Sequence, residues 1–279
     1  SGMTPTQTYA THIDAVRAQN SRIYGPPSGG DPWSVVARQF RFDPRRTLDR
    51  NMLAIASYVQ PGDIVADVGG GAGRVGLPLA LRCEEILNIE PSLGMGMEFK
   101  SSAQEASISN ARLIPYSLAE AKDLAADISF TADVTYFVRD ISAFIRQLEI
   151  TTSRRVMITI WSEPPPNRNG KIFQLVYGEM QSLLPGQAQL MPVLWDMGIF
   201  PDVYVLPECP WWDNQRSLVK DEAVEMVLED RVIRPEDRDR ARSLIEDNFD
   251  RLFSSSEIGF HPLWRSDIRE LLITWETKN

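Results

Sequence analysis

Apolar positions along this chain fall into short continuous blocks that alternate with stretches of helical spacing. Ile64–Val68, Ile86–Glu90, Ala111–Pro115, Asp127–Thr135 and Arg155–Trp161 read as five buried-type strands. Between them, Val75–Leu81 reads as a helix that tolerates Pro78 in its first turn. Pro91–Ala106 is a helix weakened by Gly94 and Gly96, and Ile141–Glu149 is amphipathic. Strands spaced by helices in this way predict a parallel sheet covered on both faces. Ahead of this region lie a polar tail, a turn-rich stretch Gly25–Pro32 and a helix from Thr47 to Val59, stopped by Pro61-Gly62-Asp63. After Trp161 come an extended loop at Glu163–Asn167, a helix from Ile172 to Leu184 and a sixth strand, Asp202–Leu206. A charged helical region follows over 214–252, with Pro235-Glu236-Asp237 as a helix start, and Arg269–Trp275 is a final strand. The chain thus divides into an N-terminal arm and helix (1–60), a core (61–163), and a remainder (164–279) carrying two strands and two helical inserts.

Composition removes several classes of function. The 279 residues hold 29 basic and 38 acidic side chains, a formal charge of −9, which argues against binding nucleic acid by phosphate neutralisation. Two cysteines and two histidines, His12 and His261 near opposite ends, leave no ligand set for a zinc site or a disulfide framework. No apolar run reaches the ~20 residues of a membrane span. The expectation is an acidic globular protein of the cytoplasm, without metal, membrane or nucleic-acid partner. Ser1-Gly2 ahead of Met3 reads as a cleavage remnant. Residues 1–60 hold seven arginines and four aspartates, so that segment carries +3 and the rest −12.

The stretch Asp67-Val68-Gly69-Gly70-Gly71-Ala72-Gly73 joins a strand to a helix, where glycines let a backbone approach a nucleotide-like ligand. Two registers fit it. Gly71, Gly73 and Gly76 satisfy the dinucleotide pattern G-x-G-x-x-G, which would make the protein an NAD(P)-dependent oxidoreductase. Asp67, Gly69, Gly71 and Gly73 satisfy acidic-x-G-x-G-x-G. The first register turns the Asp67 charge towards a pyrophosphate, whereas the second offers it to an amino group on the ligand. A dinucleotide loop also starts directly at the strand end, and Gly71 comes three residues after Val68. The second register is therefore preferred. Glu90, ending the second strand twenty-three residues after Asp67, is placed to accept hydrogen bonds from both hydroxyls of a ribose.

Val65-Ala66-Asp67-Val68-Gly69-Gly70-Gly71-Ala72-Gly73-Arg74, followed by Asn88-Ile89-Glu90-Pro91-Ser92, resembles the class I S-adenosylmethionine-dependent methyltransferases, particularly bacterial small methyltransferases. Phe40–Arg46 and the segment from Ala126-Asp127 through Tyr136-Phe137-Val138-Arg139-Asp140-Ile141 match the same pattern. The likeness runs from about residue 33 to 161 and is looser beyond. It implies an α/β fold: a Rossmann-like, doubly wound, mostly parallel seven-stranded sheet in the order 3-2-1-4-5-7-6, the last strand antiparallel, with a helical cap. It implies S-adenosyl-L-methionine as cofactor and a small-molecule methyl acceptor. By the same resemblance, Asp67, Gly69 and Gly71 hold the methionyl end and the backbone turn, and Gly73 permits close approach. Glu90 takes the ribose hydroxyls, Met95 packs near the adenine, and Ser117 and Leu118 meet its edge. Gly70, Pro91 and Ala132 complete the expected contacts.

Ligands of open α/β sheets bind beyond the carboxyl ends of the strands, so Thr131, Ala132 and Asp133 should face the reacting atoms. Family members often carry a histidine where this chain has Asp133, which leaves a carboxylate as the candidate base. Asp133 and Tyr136 are the candidate catalytic residues, and Glu163 is a third polar group near them. Methyl transfer from a sulfonium asks mainly for alignment and exclusion of water, so no strong dyad is expected. A protein that binds the cofactor without catalysis would instead crowd the space beside Asp133. The aromatic residues Tyr177, Trp195, Phe200, Trp211, Trp212 and Trp264 either line an acceptor pocket or form the private core of the inserts, and Trp33 and Arg41 either help close the cofactor site or serve ordinary packing and surface charge.

Overall fold

A computed structural model describes residues 2–210 and 219–278. Seven strands form one sheet in the order β3-β2-β1-β4-β5-β9-β6. They are β1 (Ile64–Val68), β2 (Glu85–Ile89), β3 (Ala111–Ile114), β4 (Ala126–Ala132), β5 (Thr152–Trp161), β6 (Asp202–Val205) and β9 (Glu270–Glu276). β1 to β5 pair in parallel, and β9 runs antiparallel to both β5 and β6. A hairpin of β7 (Phe253–Ser256) and β8 (Gly259–Pro262), which the apolar pattern does not signal, stands outside the sheet. With that hairpin set aside, the strand order is the expected one.

Alternating side chains give the sheet two apolar faces, as the pleat requires. Val156, Ile158 and Ile160 of β5 point to the face covered by α1 (Pro5–Tyr24), α5 (Ile141–Thr151) and α7 (Gln187–Asp196). Met157 points to the opposite face, with Val65, Ile86 and Phe130, beneath α2 (Arg50–Ala56), α3 (Gly76–Ala80) and α4 (Leu93–Glu105). The polar tail of the sequence reading is thus α1, a sheet-covering helix. It buries only Tyr9, Ile13 and Gln19, and it starts with a capping box in which Thr4 and Gln7 bond each other's backbone. The Tyr9 hydroxyl, fully buried, donates to the Thr135 carbonyl.

The fourth strand ends at Ala132, three residues before the expected Thr135, because Asp133 turns left-handed with φ 58°. The helix expected to reach Leu184 is α6 (Gly170–Tyr177), stopped by left-handed Gly178. α6 joins α8 (Lys220–Leu228), α9 (Arg238–Asp247), α10 (Phe249–Leu252) and the hairpin in a separate apolar cluster built on Phe173, Val224, Ile245 and Phe249. Tyr24, just where α1 ends, ties that cluster down through its hydroxyl to the Val232 carbonyl at 2.6 Å. No helix among the described residues is long and apolar enough to cross a membrane.

Candidate functional site

The carboxyl ends of β1, β2 and β4 open on a cleft of about 530 Å³. Asp67, Gly69, Gly70, Gly71, Glu90, Pro91, Met95, Ser117, Leu118, Ala132 and Asp133, eleven of the thirteen residues expected at the site, line it together. Gly73 and Tyr136 stand behind its wall. The glycine loop makes this possible through its backbone: Gly69, Gly71 and Gly73 have φ of 69°, 59° and 92°, a region that penalises any side chain. A Cβ on Gly73 would lie 2.6 Å from Leu77 Cγ and 2.9 Å from Phe99, so this residue lets the loop settle onto α3 and α4.

Beneath the loop, Asp67 on β1 lies in register with Asn88 on β2. Asn88 donates to the Gly71 carbonyl at 3.0 Å, which fixes its amide. Asp67 Oδ2 and Asn88 Oδ1 are both buried without a hydrogen-bond partner among the described residues. Burial pushes the Asp67 carboxyl up to about 7, with the Glu90 charge adding to the push and Arg74 opposing it. Unpaired buried acceptors are costly, so a ligand or proton that supplies positive charge here is favoured.

Glu90 holds the loop from the other side. Its Oε1 accepts from Gly71 N at 2.9 Å and its Oε2 from Ser92 N at 3.0 Å, and each oxygen retains a lone pair. Burial raises its pKa, and the two backbone bonds offset part of that. Met95 is buried against Gly71, its sulfur 3.7 Å from where a Cβ would sit, and Ser117 spends its hydroxyl accepting from Glu120 N at 3.3 Å.

At the tip of β4, Asp133 anchors its N–H on the Thr159 carbonyl at 3.0 Å. Its Oδ1 accepts from the Tyr136 hydroxyl at 3.0 Å, and that hydroxyl accepts from Trp161 N at 2.5 Å. Oδ2 is left without a partner among the described residues, on a side chain that lines the cleft. Burial raises the Asp133 pKa, while Arg74 and the tyrosine pull it down. Tyr136 is itself nearly fully buried, behind Asp133.

Apart from Trp33, expected to help close the site, the rest of the lining was not legible as such. Phe137, Val138 and Phe144 supply an apolar wall, and Trp33 and Phe40, ring centroids 6.0 Å apart, cover the cleft from the N-terminal segment. Asp31 ties this strap down. Its carboxylate accepts from Trp33 N (3.0 Å), Ser34 Oγ (2.5 Å), Ser92 Oγ (2.8 Å) and Gly94 N (3.1 Å). Gly94 is required there, since a Cβ would fall 2.5 Å from Ser34 Cα. Arg41 is spent on Glu98 and Glu105 of α4 rather than on the cleft.

Among the described residues none after Phe144 lines the cleft, Glu163 included. Tyr177 and Trp264 pack within the satellite cluster, Trp195 and Phe200 are exposed, and Trp211 and Trp212 lie outside the described residues.

No protein-family model matches the chain. Ribosomal RNA small subunit methyltransferase G of Rhodopirellula baltica is 30% identical over 101 residues, 36% of this chain. The match spans 42% of that relative's length. Among solved structures, the YcgJ protein from Bacillus subtilis is 12% identical, with 82% of this chain and 98% of that one covered at a TM-score of 0.54. A SAM-dependent methyltransferase from Thiobacillus denitrificans, in complex with S-adenosyl-L-homocysteine, is 11% identical and covers 87% and 96% at 0.51. The cyclase SpnF is 15% identical and covers 98% and 96% at 0.52. The chain has the class I methyltransferase fold.

Proposed function

We propose that this chain is an S-adenosylmethionine-dependent methyltransferase that delivers a methyl group to a small-molecule acceptor by direct in-line displacement. The convergence of Asp67, the left-handed glycines, Glu90 and Asp133 on one cleft at the carboxyl edge of the sheet carries the reading. The unpartnered Oδ2 of Asp67 suits a cationic methionyl end, and the free lone pairs of Glu90 suit a ribose diol. Ile89, Met95 and Leu118 offer an apolar seat for an adenine. The dinucleotide alternative fits less well, because the sheet closes with an antiparallel strand rather than with the all-parallel order of dinucleotide folds.

Bound in this cleft, the cofactor supplies a methyl group already activated on sulfur. The protein's task is then alignment, exclusion of water and, for a protonated nucleophile, removal of one proton. Trp33 and Phe40 exclude solvent over the cleft. Tyr136 fixes Asp133 through Oδ1 and leaves Oδ2 to orient the acceptor and take its proton. Burial makes that carboxylate a stronger base than an exposed one.

Fold alone does not choose the reaction, and one neighbour is a cyclase. The open space beside Asp133, Val134 and Phe137 favours catalysis over a blocked cofactor-binding subunit. A net charge of −9 and a partly covered cleft favour a small acceptor over RNA. Thermal denaturation tests the reading: S-adenosylhomocysteine should raise the melting temperature, and NAD or NADP should not. A shift with a nicotinamide dinucleotide and none with S-adenosylhomocysteine overturns it.

A further inference from the structure

Arg74 follows the last glycine of the loop and is the only basic residue that lines the cleft among those described. No carboxylate among the described residues comes within 4.0 Å of its guanidinium. Its main chain is pinned, because Arg46 Nη2 donates to the Arg74 carbonyl at 2.8 Å. Its charge is felt by Asp67 at the tip of β1, by Asp133 at the tip of β4 and by Glu270 at the start of β9. It therefore stands among three carboxylates without closing a pair with any of them, a cation at the wall of a cleft with its donors unspent.

A zwitterionic amino-acid end needs both signs of charge within a few ångströms. Asp67 supplies the negative one, buried and with an unpartnered oxygen. The positive one has few sources. Helix α3 behind the loop is five residues long and offers little dipole. The Gly71 N–H is already given to Glu90, and Gly69 and Gly73 spend theirs on the carbonyls of Ile89 and Gly70. Beside the unspent N–H groups of Gly70 and Ala72 stand the five N–H donors of the Arg74 guanidinium, the one full positive charge in the lining among the described residues, whose planar fork matches a carboxylate.

We propose that Arg74 is the carboxylate clamp of the cofactor site, gripping the α-carboxylate of the methionyl end while Asp67 faces its ammonium group. The assignment rests on the S-adenosylmethionine reading of the cleft.

Isothermal titration of wild-type protein, Arg74→Gln and Arg74→Lys with S-adenosylhomocysteine and with its decarboxylated analogue tests this as a cycle. Arg74→Gln should weaken S-adenosylhomocysteine about 10- to 100-fold, the scale of a charge-assisted bidentate pair. It should leave the decarboxylated analogue within about twofold, and Arg74→Lys should fall between on the full ligand. Equal weakening of both ligands, or of neither, overturns the clamp. Failure of the underlying reading looks different: the wild-type protein then gives no heat with either ligand. Melting curves of the two variants, expected near wild type, separate lost contact from lost fold.

Discussion

Replacing Asp31 by alanine cuts the strap from the body of the protein. Two of the four bonds to its carboxylate, from Trp33 N and Ser34 Oγ, lie within the strap and shape its turn. The other two, from Ser92 Oγ and Gly94 N, cross to the start of α4 and are the ones that hold Trp33 over the cleft. A charge-assisted bond is worth about 1.5–3 kcal/mol when shielded, and less at a site open to solvent as this one is. Two crossing bonds therefore amount to about 1–2 kcal/mol of docking free energy. If strap docking and cofactor binding are coupled through Trp33 and Phe40, Asp31→Ala should raise the Kd for S-adenosylhomocysteine by about 5- to 30-fold. The strap is a local element, so the global melting temperature should move by no more than about 2–3 °C. Proteolysis within 25–30, next to the released strap, should accelerate. The hydrogen bonds also hold the Asp31 pKa below the ordinary carboxylate value, despite an opposing contribution from burial. A depressed pKa means the latch is fully present above about pH 4 and is lost only as pH falls towards the folded-state value, so the wild-type effect should be flat from pH 5 to 9. Wild-type affinity in Asp31→Ala, with proteolysis unchanged, would refute the coupling.

Four further outcomes follow from the same structure. Asp133→Asn keeps a residue that tolerates φ 58° and should fold normally, yet lower methyl transfer about 10²-fold or more, measured with any acceptor found by screening. Activity that needs the carboxylate should fall as pH drops through its raised pKa, and Tyr136→Phe, which removes a bond that lowers that pKa, should move this acid limb to higher pH. Gly70→Ala places a Cβ 2.4 Å from Asn88 Oδ1 and 2.6 Å from Asp67 Oδ2, and should destabilise the fold by about 1–3 kcal/mol in chemical denaturation and abolish cofactor binding. Tyr9→Phe leaves the Thr135 carbonyl without its buried donor and should cost about 1–2 kcal/mol in the same denaturation measurement.

The parts of this protein that were legible in the sequence are those whose signal is local. β1, the glycine loop and β2 carry their chemistry within twenty-four residues, and the structure puts Asp67, Gly71 and Glu90 around one space as that spacing implied. The sheet order beyond a doubly wound plan came from family likeness rather than from periodicity. α1 escaped because it buries a narrow stripe, Tyr9, Ile13 and Gln19, among threonines, histidine and asparagine, although its Thr4–Gln7 capping box was there to read. α7 was hidden by Pro192 inside it, and the β7–β8 hairpin by a run of serines. The Asp31 latch spans more than sixty residues to Ser92 and Gly94. No pattern along the chain marks such a contact. The aromatic residues tell the same story: Tyr177 and Trp264 of the inserts found partners in their own cluster and Trp195 and Phe200 stay exposed, whereas Phe40 and Phe137 reach the cleft through tertiary folding alone.

The functional reading depends on one event, entry of an adenosyl amino acid into the cleft between the glycine loop and Glu90. Calorimetric titration of the wild-type protein with S-adenosylhomocysteine observes that event without knowledge of the acceptor, and Glu90→Ala provides the internal control. One site per chain with a Kd near micromolar, weakened about tenfold or more in Glu90→Ala, is the expected result. Absence of binding at that concentration scale, or equal binding to both proteins, would contradict it.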